Sequence, residues 1–399
     1  MEHRHSIQDN YYLPETAWAK GRNVILAIMA IGWLLSLVGL FTDHKQFFFS
    51  YLTAFFYLLV ITGGALFFVK VQYLSGSVWS VTVRRLMENI SVGMPWAALL
   101  FIPIVFGLPD LYQWAHLDIA KADEAMRGRI TYFSYPFFFG RVVLYFAIWS
   151  FFSLRIYKRS TDMDRDHSAS HILKAESISA PGLLLLFLSL SLAADDWIMS
   201  LEPNWYSTMW GVYCMAGGAL AFMAVMTLAS QGLRNGGYLA NTITREHLHD
   251  LGKWMFALTV FWSYIAYGQY MLIWYANLPE ETIFFFKRMQ GTWLWVSVAL
   301  VLGHFIFPFF LLLSRRAKRN DTILRFAAIW ILCIGYVDVY WMVNPVLHKD
   351  GIAPHWLDLT TLMAVGGTMA FAFWLRLRKN ALVPVGDVRL ARSLAFKNM

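Results

Sequence analysis

Long apolar runs alternate with short polar connections along the whole chain. Taken as segments of about 20 predominantly apolar residues, the runs predict ten spans. They fall at roughly 24–41, 48–74, 90–108, 136–156, 181–201, 208–230, 254–276, 291–313, 323–344 and 356–375. The expected product is an all-α polytopic membrane protein: a polar segment over 1–23, a ten-helix transmembrane domain over 24–376, and a polar tail over 377–399. The opening "MEHRHSIQDNYYLPETAWAKGRN" is polar and lacks the apolar core of a cleavable signal peptide.

Composition agrees with the pattern. The chain is 58% hydrophobic and only 15% charged, against about 25% charged in a typical soluble domain. Its mean hydropathy is +0.49. The net charge of +8 would suit nucleic acid, but its distribution does not. With the N-terminus cytoplasmic, 24 lysines and arginines fall on that side, Arg4, Arg84, Arg85 and the basic tail among them. Seven, including Lys45, Lys121, Lys287 and Arg288, fall on the other. The positive-inside rule then places both termini in the cytoplasm. The basic balance is a topology signal, and no nucleic-acid partner is expected; lipid is.

Cysteine and histidine narrow the chemistry. Cys214 and Cys333 both lie within spans, so there is no disulfide framework, Cys-x-x-Cys-His haem attachment or four-cysteine cluster motif. Only His304 of the eleven histidines is deep in a span. The chain is expected to bind no metal or haem itself, so redox carriers would sit on partners.

Charged groups inside the bilayer cost roughly 2.5–3.5 kcal/mol each on insertion scales, so each needs a reason. Arg141 in "PFFFGRVVLYFAIW", Asp195 and Asp196 in "ADDWIMSLEPNWYSTMWGVY", and Asp338 in "IGYVDVYWMVNP" all fall roughly 7–10 Å below the outer surface at 1.5 Å per residue. They are expected to form one cluster, with Tyr145 on the same helix face as Arg141 and Glu202 in the loop beyond. It is either a structural ion pair or a protonatable site, because one arginine cannot compensate two adjacent aspartates. Trp197, Trp205, Trp210 and Tyr213 would give it apolar walls with polar tips, suited to a quinone head group. An interfacial aromatic belt is the alternative for them and for most of the 18 tryptophans. Lys70 is expected to snorkel to the cytoplasmic surface. His304 is either a hydrogen-bonded core histidine or a proton relay.

A repeat is also visible. "GGAL" occurs at 63–66 and again at 217–220, and Asp196 and Asp338 each precede a proline, Pro203 and Pro345, by seven residues. Spans 2–5 and 6–9 are therefore expected as two four-helix bundles, with spans 1 and 10 peripheral. Paired glycines are common at any membrane helix contact, so coincidence is the alternative.

Three stretches together carry a resemblance. "LGKWMFALTVFWSYIAYGQYMLIWYANLPEET", "DDWIMSLEPNWYSTMWGVY" and "PFFFGRVVLYFAIW" resemble the NrfD-like membrane subunits of bacterial alternative complex III, the ActF type above all. The resemblance implies a quinol:electron-acceptor (cytochrome c) oxidoreductase of the bacterial inner membrane. Its implied partners are an ActC-like paralogous membrane subunit and periplasmic iron–sulfur and multihaem cytochrome c subunits, with room for a terminal oxidase. Quinol or quinone would be the ligand, and haem and iron–sulfur clusters would belong to the partners. Asp195, Asp196, Arg141, Asp338, His304, Tyr145 and Glu202 are the proton-transfer and quinone-site candidates, with no catalytic residue assigned. Outside the resemblance, a secondary transporter and a scaffold without chemistry remain open.

Overall fold

The computed structural model describes residues 9–116 and 127–398. Arg4 and Lys121 of the charge comparison, and residues 1–8 of the 1–23 segment, lie outside the described residues. Ten helices are long and apolar enough to cross a membrane. They are α1 (Glu15–Thr42), α2 (His44–Leu74), α3 (Val81–Phe106), α4 (Tyr135–Asp166), α5 (Ser170–Leu201), α6 (Trp210–Asn235), α7 (Arg245–Ala276), α8 (Trp293–Leu313), α9 (Asp321–Val346) and α10 (Trp356–Lys379). No strand occurs among the described residues.

Several helices outrun the apolar runs that predict them. α4 continues to Asp166 and α3 begins at Val81. Hydropathy marks the part of a helix that lipid must solvate, whereas the i to i−4 ladder carries on through polar residues into water. Asp43 caps α2 by accepting from the Gln46 amide at 3.2 Å, and Thr244 with His247 forms a capping box at the start of α7.

The helices pack as the repeat suggests. α2 lies against α3 and α5, and α4 against α5; α6 lies against α7 and α9. The two groups meet where α2 crosses α6, and the duplicated glycines make that crossing. A Cβ on Gly64 would stand 2.9 Å from the Gly218 carbonyl oxygen, and one on Gly218 would stand 2.5 Å from that of Val60. Only a bare backbone allows so close an approach. α1 and α10 pair with one another outside the bundles, and α10 also packs on α2.

Both described chain ends lie at one end of the bundle. The Leu382 amide donates to the Tyr11 carbonyl at 2.7 Å, and Asp9 accepts from Thr242 in the α6–α7 connection. At this end the structure corrects two expectations. Arg84 and Arg85 are not loop charges but are fully buried. Arg84 pairs with Asp387 and Glu88, and Arg85 with Glu88 and Asp164. Lys70 does not snorkel. It is fully buried, donates to the Gly182 carbonyl at 2.9 Å and lies over the Phe152 ring. α5 makes the room: Pro181 interrupts its ladder, and Gly182 leaves space that a Cβ would deny to Phe152 and the lysine stem.

Candidate functional site: two buried carboxylates and an aromatic cleft

The expected single cluster is divided between the two bundles. In the first, Arg141 on α4 meets Asp196 on α5. Its Nε donates to Oδ2 at 2.8 Å and its Nη2 to Oδ1 at 3.0 Å. Tyr145, one turn along α4, donates to Oδ2 at 3.0 Å. The third guanidinium nitrogen reaches the Tyr132 carbonyl at 2.7 Å, and the Tyr132 ring covers the guanidinium at 3.7 Å. Asp196 is completely buried. A fork that serves both carboxylate oxygens is the geometry arginine offers and lysine lacks.

Asp195 is left out of this pair. Its buried Oδ1 has no hydrogen-bond partner, and the residue lies within electrostatic reach of Cys214 on α6. Successive helix residues point about 100° apart, so adjacent aspartates cannot both face Arg141.

Asp338 belongs to the second bundle and does not join Arg141. Its Oδ1 accepts from the Tyr213 hydroxyl, and its Oδ2 from the Trp262 indole at 3.1 Å. His304 brings Nδ1 to 3.8 Å from the same Oδ2 and places its ring 3.9 Å from that of Trp262. His304, which has no evident partner in sequence, therefore faces an acid across α8 and α9. It sits in a π-helical turn, Val301–Ile306. Pro308 has no N–H to offer the carbonyl four residues back, at His304, and a widened turn accommodates the gap.

Glu202 joins neither carboxylate. Arg288 Nη1 donates to Oε1 and Lys287 Nζ to Oε2, both at 2.7 Å. Burial alone would raise the Glu202 carboxyl; Arg288 and Lys287 outweigh it and hold the group below its ordinary value. This pair ties the α5–α6 loop to the short helix Pro279–Arg288.

The tryptophans near the aspartates are core residues, not an interfacial belt. Trp197, Trp205 and Trp210 are buried, and half of all the tryptophans are. They also divide: Trp197 packs on Phe101 and Phe146, whereas Trp205 and Trp210 pack on Phe284. Trp262 was not a sequence candidate. The residues one turn away on either side, Leu258, Thr259, Ile265 and Ala266, are not acidic, so nothing local in the sequence identifies its partner.

Beside Asp338 lies a cleft of about 520 Å³ between α7, α8 and the short helix Pro279–Arg288. Tyr213 and Trp262, the two donors to Asp338, form part of its wall, as do Gln269 and Arg288. Among the described residues no group of three or more His, Cys, Asp or Glu is placed to hold a metal ion.

Compared with known proteins, the chain matches no family model and no curated sequence.

Proposed function

We propose that this chain is a membrane subunit of a bacterial quinol:electron-acceptor oxidoreductase, of the ActF type of NrfD-like subunits, and that its two bundles handle protons released by quinol oxidation. The observation that carries the proposal is the repeated placement, in each bundle, of a buried carboxylate seven residues before a proline. Asp196 and Asp338 stand at corresponding points of α5 and α9, each hydrogen-bonded to a tyrosine on a neighbouring helix. A quinol gives up two protons and two electrons. Carboxylates beneath tyrosine hydroxyls can take and pass on the protons, while the electrons leave to iron–sulfur and haem centres on periplasmic partners. The basic asymmetry of the loops supports a topology with both termini cytoplasmic, in keeping with the inner-membrane location this reading assigns. The pairing of Glu202 with Lys287 and Arg288 joins the α5–α6 loop to the helix Pro279–Arg288 on the face opposite the termini, where those partners would dock.

The test is quinol-driven reduction of the acceptor, with proton release, by the purified complex in liposomes. Asp196→Asn and Asp338→Asn keep the side-chain shape but cannot carry the proton. Both are expected to assemble and to lose at least tenfold in proton-coupled turnover. Normal turnover in both variants would leave the carboxylates as structural groups only.

A further inference from the structure

Resting on that proposed quinol role, we propose that the cleft beside Asp338 is a binding site for the head group of an isoprenoid quinol. The bundle that holds Arg141 and Asp196 has no part in it.

Size and access fit such a ligand. A volume of about 520 Å³ lies in the range of small-molecule pockets, roughly 300–1,000 Å³. Tyr264 and Tyr267 line the cleft and are themselves 70% and 66% exposed on the outer face of α7. The cleft thus opens on the surface that lipid covers, and an isoprenoid tail can leave directly into the bilayer.

The polar atoms define the head group. Gln269 and Trp210 both line the cleft and are almost completely buried. The Gln269 Oε1 acceptor and the Trp210 Nε1 donor each lack a hydrogen-bond partner. Leaving such groups unmade costs about 1–3 kcal/mol each. A ring hydroxyl can donate to the first, and a ring oxygen can accept from the second. An acyl chain can do neither. A phosphate head group is disfavoured too, because the one cation in the wall is already used. Arg288 Nε donates to the Trp341 carbonyl, Nη2 to that of Met342, and Nη1 to Glu202 and the Phe284 carbonyl. What the cleft lacks is a neutral, flat ring with one donor and one acceptor. Its inner wall then offers Tyr213 and Trp262, which separate a bound ring from Asp338 by one side chain.

Photolabelling of the native membrane complex with a short-chain azidoquinone tests this. Label is expected on peptides of α7, α8, the start of α6 or residues 279–288, displaced by excess decylubiquinone or menadione. Gln269→Leu is expected to weaken displaceable labelling about tenfold, the equivalent of one hydrogen bond. Displaceable label confined to α4 and α5, or label displaced by phospholipid alone, would overturn the cleft while leaving the quinol role standing. No displaceable label anywhere, together with no quinol-dependent turnover, would overturn both. Mapping on the unaltered protein decides the matter even if the variant does not accumulate.

Discussion

Arg141 holds Asp196 through two hydrogen bonds, 2.8 and 3.0 Å long, across the α4–α5 contact. Both side chains are buried, and neither oxygen of the carboxylate is left without a donor. The two single truncations differ in kind. Without Arg141 the acid keeps the Tyr145 bond and can become neutral by taking up a proton. Without Asp196 the guanidinium stays charged and keeps the Tyr132 carbonyl and the Tyr132, Phe137 and Phe138 rings, but no anion. Asp196→Ala is therefore expected to lower thermal stability more than Arg141→Ala. The double variant should be better than the summed singles by about 1–3 kcal/mol. Additive effects in such a cycle would mean the pair is not energetically coupled.

The adjacent glycines of α6 differ in what surrounds them. A Cβ on Gly218 would meet Val60 backbone at 2.5 Å, whereas one on Gly217 would find nothing nearer than 3.6 Å. Gly218→Ala must push α2 and α6 apart and is expected to cost about 1–3 kcal/mol. Gly217→Ala should be close to neutral. Equal melting temperatures for the two variants in detergent would contradict the tight crossing.

Asp387 ties the C-terminal tail to α3. Burial pushes its carboxyl up, but Arg84 and then Arg389 outweigh this and bring it down to about 2. A depressed acid adds stability that is fully present above its ordinary value near 3.9. It is lost as pH falls through the folded value. The contribution is about 2 kcal/mol at neutral pH. Asp387→Asn should accordingly melt below the unaltered protein at pH 6, and the gap should close between about pH 4 and pH 2. A gap that stays constant over that window would show that charge is not its origin.

Among the described residues no carboxylate pairs with Lys70; its hydrogen-bond acceptor is the Gly182 carbonyl. Taking an ammonium out of water costs several kcal/mol, a cost that an apolar side chain of similar length does not carry. Lys70→Met is expected to melt no lower than the unaltered protein. A large fall in melting temperature would show that the ammonium is held by more than this one carbonyl and the Phe152 ring.

The terminal tail, the α6–α7 connection and Arg84 belong to one end of the molecule, which the proposed topology makes the cytoplasmic end. A reporter fused after Met399 should be active only in its cytoplasmic form, and one inserted at Lys349 only in its periplasmic form. The opposite pattern would invert the topology.

The chain's own pattern determined that it spans a membrane ten times, because lipid demands an unbroken apolar stretch of fixed length whatever the fold. It also marked Gly63, Gly64, Gly217 and Gly218 as a repeated pair, and Arg141, Asp196 and Asp338 as charges requiring partners. Which charge meets which was decided only in three dimensions. Depth places four groups at one level but says nothing about their position around the bundle, so Asp338 could not be told from a partner of Arg141. Its true neighbours, Tyr213, Trp262 and His304, come from three other helices. Lys70, Arg84 and Arg85 sit near helix ends, where hydropathy reads them as reaching water. They are buried instead, because Gly182 opens space beside Lys70 and the Asp387 tail folds over Arg84. Such closures depend on segments more than a hundred residues apart, and no local pattern of apolar and polar positions records them.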